Sequence, residues 1–147
     1  MSCVLGFDFG TRRIGVASGN RITASAQPLQ ALAARDGEPD WNRVAALISE
    51  WKPEALVVGL PLTLDGSEQA ITRGARAFAG KLGQSSGLPV HLVDERHTSQ
   101  EAARRFAGQR ASGNARRRDA ANLDSLAAAV ILETWLRDNP DLAFRSP

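Results

Sequence analysis

The chain has 147 residues and a mass of 15.7 kDa, a size typical of one domain with a single hydrophobic core. Its 43% hydrophobic and 23% charged residues are ordinary for a globular protein, and no apolar run approaches the roughly 20 residues of a membrane-spanning helix. The first residues carry no export signal, so we expect a cytoplasmic protein that does not contact a membrane. The lone cysteine, Cys3, excludes a disulfide framework and is expected to be a small buried side chain.

Hydrophobic periodicity predicts an α/β fold with five strands. Gly19-Asn20 is predicted to be a two-residue hairpin turn, so the first three strands form an antiparallel meander. Strands and helices then alternate, which favours a mixed sheet of three antiparallel strands followed by parallel strands, with helices on both faces. We expect one domain over 1–138 and a tail over 139–147. The predicted strands cover 4–9, 13–18, 21–26, 55–60 and 88–95, and the predicted helices cover 41–51, 67–83, a segment after Thr98, and 119–137.

Asp8 is an unexpected charge inside the first predicted strand, "VLGFDF". A buried carboxylate without a partner is costly, so its presence needs a compensating interaction. Gly6 lies on the same strand face and leaves space beside the carboxylate, and the turn at Gly10 and Thr11 lets the backbone approach a ligand. The alternative is that Asp8 caps the turn at 10–12, but it lies two residues inside the strand. Asp8 is therefore a candidate ligand-binding residue.

Two other positions add carboxylates. Asp94 and Glu95 end a parallel-type strand, where open α/β sheets bind ligands, and Asp124 lies near the apolar stripe of the last predicted helix. Stabilisation of a helix N-terminus is the alternative explanation for each. Carboxylates from three separate elements form a hard-oxygen site suited to Mg²⁺ or Mn²⁺, and such ions catalyse phosphodiester hydrolysis. Of the two histidines, we expect His91 to be structural, whereas His97 is a candidate proton carrier or phosphate contact.

Arginines are concentrated between residues 96 and 118, where seven of them accompany a single acid, Glu101. We call residues 96–118 the basic segment. Guanidinium groups bind two phosphate oxygens at once, and codon preference explains arginine usage but not its clustering, so nucleic-acid contact is favoured over a merely solvated face. The predicted phosphate-contacting residues are Arg12, Arg13, Arg96, Arg116, Arg117 and Arg118.

Four blocks in order, "GFDFGTRRIGVA", "VVGLPLTLDGSEQA", "VDERHTSQEA" and "RRRDAANLDSLAAAVIL", resemble the YqgF family, the pre-16S ribosomal RNA nucleases also described as Holliday-junction-resolvase-like. The similarity covers residues 3–137. It implies a ribonuclease H-like fold, cytoplasmic location, divalent-metal nuclease chemistry, and maturation of the 5′ end of the small-subunit ribosomal RNA. The family's catalytic and metal-binding positions correspond to Asp8, Glu95 and Asp124. Its loop above the site corresponds to Gly59–Gly66, including Pro61.

Other functions remain open at this point. The first block also resembles a phosphate loop of actin-like and Hsp70-like ATPases, but 147 residues leave no room for their second loop and adenosine pocket. A nucleic-acid-binding factor with a vestigial site would use the basic segment alone. For a nuclease, the substrate is structured RNA, within pre-ribosomal particles, or branched DNA such as a Holliday junction. The chain is expected to act as a monomer or a homodimer.

Overall fold

The computed structural model describes residues 3–61, 67–94 and 119–138, and in the last range side chains from Ser125 onward. These residues contain six strands and three helices. The strands are β1 (Cys3–Asp8), β2 (Arg13–Asn20), β3 (Ser25–Arg35), β4 (Glu38–Pro39), β5 (Ala55–Leu60) and β6 (Val90–Asp94). The helices are α1 (Trp41–Trp51), α2 (Ala70–Ser86) and α3 (Asp119–Asp138).

All six strands belong to one mixed sheet with the order β4-β3-β2-β1-β5-β6. The pairs from β4 to β1 are antiparallel, and β1, β5 and β6 are parallel to one another. The mixed sheet is therefore confirmed, but the expected number of five strands was wrong. The additional strand, β4, has only two residues and pairs with Ala34 and Arg35. A segment of that length is too short to show a hydrophobic period.

The third strand differs most from the prediction, because it runs over Ser25–Arg35 and not over 21–26. β2 continues through Asn20, and residues 21–24 form the turn. The Asn20 side-chain oxygen accepts hydrogen bonds from the amides of Ile22, at 2.8 Å, and Thr23, at 3.3 Å. Asn20, the residue before the turn, thus stabilises it through its short side chain, as asparagine often does.

Gly19 has a packing role instead of the predicted turn role. An ideal Cβ atom on Gly19 would lie 2.7 Å from Cδ2 of Leu132 and 3.0 Å from Cδ1 of Leu136, both on α3. A side chain at this position would collide with these two leucines, so they would have to shift. A glycine next to an asparagine predicts a hairpin turn from sequence, and only the tertiary structure reveals the second explanation.

Two hydrophobic layers cover the sheet, one on each face. Leu5 and Phe7 of β1 face α1 and α2, where the ring of Phe78 lies 5.7 Å from those of Phe7 and Trp41. Val4, by contrast, belongs to the layer under α3. The predicted alternation along the first strand and the helices on both faces are confirmed.

The remaining predicted elements agree with the structure within a few residues. The Asp40 side chain caps α1 as predicted, by accepting from the amide of Asn42 at 3.0 Å. The helix predicted over 67–83 is α2, and the strand predicted over 88–95 contains β6. The helix predicted after Thr98 lies outside the described residues. No helix in the described part of the chain has the length and apolarity needed to cross a membrane.

Candidate functional site

Asp8 is the last residue of β1, and its two cross-strand neighbours are both glycines. It pairs with Gly15 on β2 and with Gly59 on β5, and it is half-buried. Residues directly opposite each other on neighbouring strands share one face of the sheet. The carboxylate therefore has no side chain beside it from the paired position of either strand, and Gly6, two residues earlier, is on the same face. The residues nearest to Asp8 on this face of the sheet are therefore all glycines.

The face that carries Asp8 is the one covered by α3. Ser125 Oγ accepts a hydrogen bond of 3.2 Å from the amide of Val16, while Leu136 lies over Gly19. Because Gly15 pairs with Asp8 and Gly19 pairs with Val4, α3 runs with its N-terminal part toward the Asp8 end of the sheet.

Position 124, the residue before Ser125, is consequently brought to the same end of the sheet as Asp8. The backbones of two of the three predicted acidic positions thus lie at the same end of the sheet. The side chain of Asp124 lies outside the described residues.

Ser125 makes a hydrogen bond to the sheet that the sequence did not reveal. Its hydroxyl is fully buried, and the amide it binds lies next to an irregularity in the sheet. Between the pairs Ile14/Leu32 and Val16/Leu29, one residue of β2 faces two residues of β3. Ser125 therefore satisfies an amide at a β-bulge. A serine within an otherwise apolar helical stripe is the signal that could have identified it.

The turn after Asp8 requires glycine. An ideal Cβ atom on Gly10 would lie 2.4 Å from the carbonyl oxygen of Arg13, so any side chain would collide with the backbone. Two backbone hydrogen bonds from β3 and the residues after it hold this turn. The carbonyl of Thr11 accepts from the amide of Gly37 at 2.9 Å, and the carbonyl of Arg12 accepts from the amide of Ala34 at 2.8 Å. Arg12 and Arg13 are both exposed on this turn. Two cations thus lie one short turn away from Asp8.

Phe9 holds the end of β1 from the opposite face. Its ring lies between two glycines, and ideal Cβ atoms on Gly37 and Gly74 would be 2.8 Å and 2.9 Å from ring atoms. The ring centroid is also 5.7 Å from that of Phe78. The residue after Asp8 is therefore packed tightly between the β3–β4 turn and α2, which fixes where the Asp8 carboxylate emerges.

The parallel strands continue the same end of the sheet beyond Asp8. Gly59 pairs with Val93 of β6, and Leu60 pairs with Asp94. Val93 packs in the layer under α3, so Asp94 belongs to the other face. Of the two acids at this strand end, Glu95 lies outside the described residues. Two strand spacings of about 4.8 Å separate β1, which carries Asp8, from β6, which precedes Glu95. The two strands are therefore roughly 10 Å apart.

Several other predicted site residues also lie outside the described part of the chain: Gly66, Arg96, His97, Arg116, Arg117 and Arg118. Among the side chains that the structure describes, no three acids, histidines or cysteines lie close enough to share a metal ion. Asp8 is the one predicted metal ligand within that set. The carboxylate oxygens of Asp8 are compatible with Mg²⁺ or Mn²⁺, which prefer oxygen donors.

Two titratable groups at the other end of the sheet have shifted pKa values. Burial, together with the Arg21 guanidinium, lowers the pKa of His91, whose ring lies 4.9 Å from that of Trp135. This packing agrees with the structural role predicted for His91. Burial, together with Glu54, raises the pKa of Cys3. Cys3 is half-buried, so the expectation of a buried side chain holds only in part.

Known proteins resemble this chain in both sequence and structure. The family described as "RuvX: Holliday junction resolvase" matches residues 2–138. A protein of Xylella fastidiosa named "Putative pre-16S rRNA nuclease" is 54% identical over 135 residues, which are 92% of this chain and 87% of that protein. A protein of the same name from Xanthomonas oryzae pv. oryzae is 50% identical over 144 residues, 98% of this chain and 92% of that protein.

Two solved structures share the fold. Thermus thermophilus RuvC, solved in complex with a Holliday junction substrate, superposes with a TM-score of 0.57 at 18% identity, covering 95% of this chain and 98% of that one. The yeast mitochondrial Holliday junction resolvase gives 0.52 at 12% identity, covering 97% and 80%. These agree with the ribonuclease H-like fold implied by the sequence resemblance. The four sequence blocks, the mixed sheet and these matches agree that the chain belongs to the RuvX family of Holliday junction resolvases.

Proposed function

We propose that this protein is a divalent-metal-dependent nuclease that hydrolyses phosphodiester bonds near the 5′ end of the 16S ribosomal RNA precursor. The observation that carries the proposal is the position of Asp8: a half-buried carboxylate with a glycine opposite it on each neighbouring strand, at the end of the sheet where α3 begins. The oxygens of a carboxylate at this position are of the type that binds a divalent cation.

Asp8, Glu95 and Asp124 are the proposed metal ligands. A bound Mg²⁺ or Mn²⁺ supplies Lewis-acid stabilisation of charge on the phosphate oxygens and lowers the pKa of coordinated water. Asp8 is held in place for this role by the packing of Phe9 and by the turn at Gly10. Gly15 and Gly59, its partners on the neighbouring strands, add no side chain of their own next to the carboxylate.

Substrate binding is assigned to arginines. Arg12 and Arg13 are exposed on the turn that follows Asp8, and we add Arg96, Arg116, Arg117 and Arg118 of the basic segment. Their guanidinium groups bind backbone phosphates and orient the scissile bond without reading the base sequence.

Precursor ribosomal RNA is the favoured substrate because relatives at 54% and 50% identity are named "Putative pre-16S rRNA nuclease". A four-way DNA junction is the second candidate, which the family description favours. Arginine contacts to phosphate suit both nucleic acids, so cleavage assays must include both.

The experiment compares the wild type with Asp8→Asn on two substrates, a labelled precursor RNA spanning the 5′ end of 16S and a four-way DNA junction. Each is incubated with Mg²⁺, with Mn²⁺ or with EDTA. We expect the wild type to cleave the RNA only with metal and Asp8→Asn to lose at least about 100-fold in rate, as loss of several kcal/mol of charge stabilisation implies. Binding, measured by fluorescence anisotropy, should persist.

Asp138→Asn is the matched control, because it removes one carboxylate at the far end of α3, where the side chain is exposed. It should cleave as fast as the wild type. Equal cleavage by Asp8→Asn would contradict the proposed mechanism. Binding without cleavage by the wild type in both metals would contradict the nuclease proposal and support a non-catalytic binding factor.

A further inference from the structure

Thr72, in the first turn of α2, is a fully buried polar residue outside the proposed metal site. Its hydroxyl makes two hydrogen bonds, both to backbone groups. It accepts from the amide of Gln69 at 3.1 Å and donates to the carbonyl of Pro61. One oxygen atom therefore joins the residue that follows β5 to the residue that precedes α2.

The position of Pro61 connects this contact to the candidate site. Pro61 follows Leu60 at the end of β5, and Gly59, two residues earlier, lies opposite Asp8. The Thr72 hydroxyl consequently fixes where the chain leaves the sheet next to Asp8. It also fixes where the chain returns, at Gln69, at the N-terminus of α2.

A second contact near the returning chain is weaker. Glu68 accepts from Nε of Arg76 at 3.1 Å and from Nη2 at 2.7 Å. Both side chains are exposed, with side-chain relative accessibilities of 47% for Arg76 and 39% for Glu68. Exposed ion pairs hold a backbone only loosely, because water and salt compete with them. The buried hydroxyl of Thr72 is therefore the stronger constraint.

We propose that Thr72 is a positioning residue: it holds the end of β5, Gly59–Pro61, in one conformation beside Asp8, and so sets how the substrate backbone approaches the carboxylate. This inference rests on the proposed nuclease function. Thr72 does not touch the substrate but acts through the Pro61 carbonyl. Misplacement of reacting groups by about 1 Å slows a reaction by up to about 100-fold, whereas phosphate contacts made elsewhere determine affinity.

The test compares Thr72→Val, which keeps the shape and loses the hydroxyl, with Thr72→Ser, which keeps the hydroxyl. We expect Thr72→Val to lower kcat on the precursor RNA about tenfold, with substrate Kd changed by less than about twofold. Thr72→Ser should restore kcat to within about twofold of the wild type. Hydrogen exchange, followed by mass spectrometry on peptides covering 55–61 and 67–72, should be faster in Thr72→Val and unchanged in Thr72→Ser.

Thr134→Val is the matched control, since the Thr134 hydroxyl donates to the carbonyl of Val130 in its own helix at 2.8 Å, its one side-chain hydrogen bond among the described residues. It should leave kcat and the exchange of the same peptides unchanged. If Thr72→Val does not fold, Thr72→Cys, whose thiol is a weak hydrogen-bonding group, replaces it with the same expected direction.

The outcomes separate this inference from the proposed function. Wild-type protein that does not cleave either substrate with metal overturns both. Cleavage by the wild type, its loss in Asp8→Asn and wild-type kcat in Thr72→Val overturn the positioning role alone. Equal losses in Thr72→Val and Thr72→Ser would also overturn it, because the hydroxyl would then not be the group responsible.

Discussion

Asp8 shows how a single residue can carry a functional signal. The alternating pattern of the first strand placed it on the same face as Gly6, and that part of the site could be predicted from the sequence. Its pairing with Gly15 and Gly59 could not, because the register between strands is not written in either strand alone. Ser125 was missed for a similar reason: the amide that it binds is exposed by a bulge in a distant strand pair.

Replacing Asp8 with Asn should not destabilise the fold. The substitution keeps the size of the side chain and one hydrogen-bonding oxygen, so the free energy of unfolding should stay within about 1 kcal/mol of the wild-type value. Urea denaturation measures this. A loss of more than about 1 kcal/mol would instead indicate that the carboxylate mainly stabilises the turn at 10–12.

Replacing Ser125 with Ala should destabilise the protein. The change removes the acceptor, on α3, of the hydrogen bond from the Val16 amide on β2. A buried donor without an acceptor costs about 1–3 kcal/mol. Ser85→Ala, which removes an exposed hydroxyl bonded to the carbonyl of Leu82, is the control and should cost less than about 0.5 kcal/mol. Equal urea midpoints for the two variants would contradict the role given to Ser125.

At the scale of elements, the prediction failed where a turn residue had two possible roles. Gly19-Asn20 is a strong hairpin signal, yet Gly19 is needed for the close approach of α3 and Asn20 stabilises the following turn. The strand beyond it was misplaced as a result. Helix α1 was predicted correctly because its apolar stripe and its cap, Asp40, both act locally. Local signals could thus be read from the sequence, whereas contacts between distant elements could not.

The packing of β6 against α3 makes stability depend on pH through His91. Burial lowers the pKa of His91 in the folded state below its ordinary value of 6.5, so the unfolded chain binds more protons in that range. The free energy of unfolding should therefore fall as pH drops through 6.5 and level off below the folded-state pKa. His91→Gln, which does not titrate, should lack this contribution. Urea midpoints from about pH 7.5 to about pH 5 measure it, and parallel curves for the two proteins would contradict it.

At the scale of the whole molecule, the fold follows from two hydrophobic layers on a mixed sheet, and this architecture was visible in the order of apolar segments. The two-residue strand β4 was not, because it is defined by its pairing with β3. The net charge of +2 hides a strongly uneven distribution, since the basic segment holds seven of the 18 basic residues. Such a distribution favours a partner with many phosphates.

The salt dependence of nucleic-acid binding should report these arginines. Replacing Arg116, Arg117 and Arg118 by Ala should weaken binding and reduce the slope of log K against log salt by about 0.7–0.9 for each lost phosphate contact. Replacing Arg43 and Arg137, exposed cations on α1 and at the end of α3, should leave the slope unchanged. An unchanged slope in the triple variant would locate the binding face elsewhere.

The proposed nuclease function requires that Asp8, Glu95 and Asp124 meet around a divalent cation. A crystal of the protein soaked in manganese, with anomalous scattering recorded near the manganese edge, tests it most directly. We expect an anomalous peak for a manganese ion at the end of β1, coordinated by oxygens of all three carboxylates. Manganese bound elsewhere, or three carboxylates occupied by hydrogen bonds to protein groups with no space for an ion, would contradict it.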